Sequence, residues 1–77
     1  MARIDWKNIR RIDKNKNSIH TPVSATYTVF EEDGEKYLQI DTYGREQREI
    51  PGKISQSIQL SNDDAKKLMI LLTEEFL

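Results

Sequence analysis

Six side chains in the middle of the chain pose the first chemical question: Lys36, Tyr37, Tyr43, Arg45, Arg48 and Lys53. Aromatic rings carried on strands can stack on nucleobases, a contact of about 1–3 kcal/mol per base, while lysine and arginine follow a phosphate backbone. The same residues also have a plainer reading. Tyrosines on a strand are ordinary cross-strand packing partners, and Arg45, Arg48 and Lys53 are interleaved with Glu46 and Glu49, so that their field largely cancels. A second cationic set lies near the N-terminus, where Lys7, Arg10 and Arg11 follow Trp6. Trp6 fits either an aromatic among cations or a core anchor.

Charge is unevenly spread. Residues 1–16 carry six basic and two acidic side chains, a net +4, whereas residues 17–77 carry a net −5 within a chain total of −1. The basic stretch fits a phosphate-contacting arm or a solubilising tail. Other chemistries lack their residues. No cysteine is present, which removes disulfides, zinc-thiolate sites and thiol catalysis and makes a cytoplasmic location the expectation. His20 is the single histidine, and the acidic group Glu31, Glu32, Asp33 and Glu35 has the composition of a solvated hairpin tip. No phosphate loop, nucleophile elbow or triad spacing occurs, so no enzymatic activity, metal or cofactor is expected. The chain also lacks an apolar run near the roughly 20 residues of a membrane helix, and its start lacks a signal peptide's apolar stretch.

The elements that must position these residues can be read from periodicity. Residues 25–31 are rich in β-branched and aromatic side chains, with Ala25, Tyr27 and Val29 on one face and Thr26, Thr28 and Phe30 on the other. Asp33-Gly34 supplies the positive φ values of a tight hairpin turn. In the next strand, residues 37–43, Leu38, Ile40 and Thr42 share a face expected to be buried, and Tyr37, Gln39, Asp41 and Tyr43 share a wet one. Ile54, Gln56, Ile58 and Leu60 alternate with serine and glutamine in another strand. Ser61 then caps a helix whose stripe is Ala65, Leu68, Met69, Leu72 and Phe76.

Ile70 and Leu71 fall outside that stripe, so the helix is apolar around more of its circumference than one small sheet covers. Either a second subunit covers Met69, Ile70, Leu71 and Phe76, or the N-terminal arm folds back over Ile70. A chain this short buries only about 60% of its unfolded surface, so dimerisation would help it. The expected architecture is α+β: a curved antiparallel sheet of three to four strands followed by one C-terminal helix. Residues 1–22 form a basic arm and linker, in which Ile4, Trp6 and Ile9 fit a short strand or a helical turn equally, and residues 23–77 form the domain. Within the polar segment after Tyr43, residues 48–50 read as a short strand ended by a Pro51-Gly52 turn.

Residues 40–68, IDTYGREQREIPGKISQSIQLSNDDAKKL, resemble the transcriptional positive-cofactor-four family of single-stranded-DNA-binding proteins, including its bacterial and phage-borne relatives. Ile40, Tyr43, Pro51, Gly52, Lys53, Ile58, Leu60, Ser61 and Leu68 carry the likeness, which extends over residues 25–76 when the hairpin is counted. The chain departs from that pattern at Asp41, where the family tends to be basic, at Ser57, where it has glycine, and at Ala65, where it has an aromatic. The resemblance implies a homodimer with its helices at the subunit interface and curved sheets that bind single-stranded nucleic acid. The sequence therefore leads to two expectations. One is a dimeric, non-enzymatic DNA-binding module acting in transcription, replication or a mobile element; the other is a protein-interaction or regulatory factor on the same scaffold that does not bind nucleic acid.

Overall fold

A computed structural model describes residues 1–44 and 53–77 of the chain. Arg45, Arg48, the short strand expected at residues 48–50 and the Pro51-Gly52 turn lie outside the described residues. Four strands, β1 (Ala2–Arg3), β2 (Ala25–Glu32), β3 (Glu35–Tyr43) and β4 (Ile54–Ser61), form one sheet in the order β1-β4-β3-β2, and a single helix, α1 (Asn62–Phe76), follows. The α+β architecture with one C-terminal helix is as the sequence predicts. Its sheet, however, is mixed rather than antiparallel throughout: Ala2 and Arg3 pair in parallel with Ile58 and Gln59, and the Ile4 amide donates to the Gln59 carbonyl at 3.0 Å. The start of the basic arm is thus a sheet edge. A short 3-10 turn, Trp6–Asn8, follows it, capped by the Asp5 carboxylate, which accepts from the Lys7 amide.

The hairpin forms where the sequence places it. Asp33 and Gly34 adopt φ values of 52° and 79°, and β2 then pairs with β3 from Glu32↔Glu35 to Ala25↔Thr42. Asparagine, aspartate and glycine tolerate this left-handed backbone, which most side chains resist. Between β3 and β4 the register runs from Tyr37↔Ser61 to Thr42↔Gln56 and then slips, with Tyr43 opposite Ile54. An extra residue on one strand of a pair bends that strand locally and raises its twist.

Ser61 ends β4 and caps α1: its side chain accepts from the Asp64 amide, and Asp63 and Asp64 occupy the first turn, where the helix dipole favours negative charge. The helix touches β3 and β4. Its grip is short. Ala65 and Leu68 are half-buried, whereas Met69, Ile70, Leu71, Leu72 and Phe76 are exposed. Leu60, 2% exposed at the foot of the helix, is the one apolar side chain among the described residues that is buried outright. The strand faces contrast less than expected: on the apolar face Leu38 and Thr42 are half-buried but Tyr27, Val29, Ile40 and Ile58 are exposed, while Tyr37, Gln39 and Tyr43 on the polar face are half-buried and Asp41 is buried. The reason is that α1 covers only one end of the apolar face. Among the described residues no helix is long and apolar enough to cross a membrane.

Candidate nucleic-acid interface

Alternation and register gather one set of side chains on the polar face of the sheet. Phe30 and Tyr37 are a directly opposed cross-strand pair, and their rings stack with centroids 5.5 Å apart and planes 21° from parallel. Arg3, held in place by β1, lies with its guanidinium carbon 5.9 Å from the centre of the Tyr37 ring. A cation over an aromatic face is attracted by the negative face of the ring quadrupole. Tyr43 stands at the bulged end of the same face, its hydroxyl 2.9 Å from Thr26 Oγ1, and its amide donates to the Ser24 carbonyl.

Between the two tyrosines runs a chain of polar contacts. Gln59 Nε2 donates to Gln39 Oε1 at 2.7 Å, Gln39 Nε2 donates to both oxygens of Asp41 at 3.0 and 3.1 Å, and the Ser57 hydroxyl donates to Asp41 Oδ1. Asp41 is only 6% exposed. Burying a carboxylate without partners is costly, and these donors make the position tenable. Asp41 thus falls on the face expected to meet phosphates, but its charge is sequestered by neighbours rather than presented to solvent. Its partner across the strands is Ser57.

Several residues of the expected site are placed elsewhere. Lys36 precedes Tyr37 and pairs with Glu31, so strand alternation sends it to the face of Leu38 and Ile40; it does not join the tyrosines. Lys7 lies in the 3-10 turn, and Arg10 and Arg11 follow it, all exposed. Arg11 reaches α1 instead of the sheet face: its guanidinium is 2.7 Å from Glu75 Oε1 and also 3.5 Å from Asp13. That pairing places a cation at the negative end of a helix that has no basic residue in its last turn. Half-buried Trp6 borders a groove with Ile9, Leu71, Leu72 and Phe76, so the arm does reach the helix, though Ile70 stays exposed. Lys53 is exposed ahead of β4.

Sequence reasoning missed Arg3, Phe30 and Gln59 as members of the face. A two-residue strand carries no periodicity, so Arg3 had no signal. Phe30 had one, because the Asp33-Gly34 turn fixes its register against Tyr37. The chain matches no family model, no curated protein and no solved structure.

Proposed function

We propose that the chain is a non-enzymatic, homodimeric nucleic-acid-binding module that prefers single strands, acting in the cytoplasm in transcription, replication or a mobile element. The observation that carries this reading is the Arg3–Tyr37–Phe30 cluster on a sheet face that also bears Tyr43. Aromatic rings and a guanidinium on a strand surface can stack on unpaired bases whose faces a duplex would hide. Lys53, Arg45 and Arg48 belong to this proposal as phosphate contacts.

Self-association is supported by the opposite face. Tyr27 is 76% exposed and Phe76 79% exposed, and Ile40, Ile58, Met69, Ile70 and Leu71 are exposed as well. The accessible surface of 7245 Å² exceeds by roughly half the ~4,900 Å² that size scaling gives a folded monomer of this length. The radius of gyration of 14.8 Å likewise exceeds the ~11.5 Å of a compact chain of 77 residues. Residues 7–29, exposed throughout, contribute to this excess, as do the exposed apolar side chains, a surface of the kind that a second copy covers.

The test is substitution at both ends of the polar face. Tyr37→Ala and Tyr43→Ala each reduce affinity for single strands by about 1–3 kcal/mol with the fold retained. Unchanged affinity in both variants would remove the polar face from the binding surface, and absence of single-strand binding by the wild type would favour the second reading, a protein-interaction factor, for which the buried Asp41 at the centre of the face is the supporting observation.

A further inference from the structure

Gln59, Gln39 and Asp41 form a ladder with one possible polarity. An ionised carboxylate only accepts hydrogen bonds, so Gln39 must turn its NH2 group toward Asp41 and its carbonyl oxygen away. Gln59 must then offer its own NH2 to that oxygen, as it does at 2.7 Å. The Gln59 Oε1 atom is thereby aimed away from the ladder, and it accepts no hydrogen bond among the described residues. Arg3 is the register partner of Gln59 on the neighbouring strand, and its guanidinium, a donor only, lies over Tyr37. A groove bordered by Arg3, Gln39, Ser57 and Gln59 opens at this place.

From this geometry we infer that Asp41 is a positioning residue for base selection. It fixes an outward acceptor, Gln59 Oε1, beside the Arg3 donor and the Tyr37 ring. A base stacked near Tyr37 meets that acceptor with its Watson–Crick edge. Cytosine offers an exocyclic amine to Gln59 Oε1 and carbonyl and ring-nitrogen acceptors to Arg3. Thymine, at the same position, turns a carbonyl oxygen against a carbonyl oxygen. The face therefore favours amine-bearing bases over thymine. This inference rests on the nucleic-acid reading proposed above and goes beyond it in naming what the site distinguishes.

The experiment is fluorescence anisotropy with short deoxycytidine and thymidine homopolymers, comparing the full chain with Asp41→Asn and Gln59→Leu, each checked for fold by circular dichroism. The wild type binds the cytosine oligomer about fivefold more tightly, the value of one net hydrogen bond. Asp41→Asn frees the ladder to reverse, because an amide can donate as well as accept, and the ratio falls toward one; Gln59→Leu removes the acceptor with the same effect on the ratio and without touching the buried carboxylate. A purely structural role for Asp41 would weaken both oligomers equally and leave the ratio unchanged, which would overturn the inference alone. Failure of the wild type to bind either oligomer would overturn the nucleic-acid reading and the inference with it.

Discussion

Asp41 on β3 and Ser57 on β4 face each other across the sheet, and the serine hydroxyl donates to the carboxylate. A carboxylate buried at this position needs a donor opposite, and the serine side chain supplies it. Ser57→Ala is therefore expected to destabilise the fold by about 1–3 kcal/mol, the cost of leaving a buried acceptor short of a partner. Urea unfolding at fixed protein concentration checks this, and an unchanged midpoint would mean that Gln39 alone satisfies Asp41.

Leu60 bears an unusual share of the core, being 2% exposed where the other apolar side chains among the described residues are half-buried or exposed. Leu60→Ala is expected to cost about 2–5 kcal/mol. In a domain whose total stability is of order 5–15 kcal/mol, that lowers the thermal midpoint steeply or abolishes the cooperative transition. A variant that melts like the wild type would place the core elsewhere.

Exposed Met69, Ile70, Leu71 and Phe76 are expected to be covered by a second copy. Ile70→Glu should then yield monomers in light scattering, because a charge would be buried in an apolar interface. The wild-type melting temperature should rise with protein concentration, as mass action requires of a dimer that dissociates on unfolding. A monomeric wild type would contradict both.

The two arginines of the arm should behave differently. Arg3 belongs to the polar face, whereas Arg11 is engaged by Glu75 and Asp13 on an exposed surface. Arg3→Ala is expected to weaken single-strand binding, since its guanidinium faces the bases, and to lower the salt slope by less than the ~0.7 of a full phosphate contact. Arg11→Ala should leave the slope unchanged and alter stability by less than about 1 kcal/mol, as for most exposed ion pairs. Equal slopes for both variants would show that the arm acts as a diffuse charge.

Much of this fold was legible because its signals are local. The Asp33-Gly34 turn, the alternation of β3 and β4, and Ser61 with acidic residues in the following turn each specify an element within a few residues. What escaped is long-range. β1 is two residues long and gains its place only by pairing with β4. The Asp41–Ser57 contact joins strands separated by the segment at 44–53, so the acidic residue reads from sequence as a charge reversal when in the fold it is a buried acceptor. Lys36 is a different failure: alternation was readable, and grouping it with its neighbour Tyr37 ignored that adjacent strand residues point to opposite faces.

The most direct measurement is anisotropy of labelled single-stranded and duplex oligonucleotides at two salt concentrations, on protein whose mass has been determined. A dimer that binds the single strand more tightly than the duplex, with affinity falling as salt rises, is the predicted result. Absence of binding up to high micromolar protein, or binding indifferent to salt and to strandedness, would contradict the account.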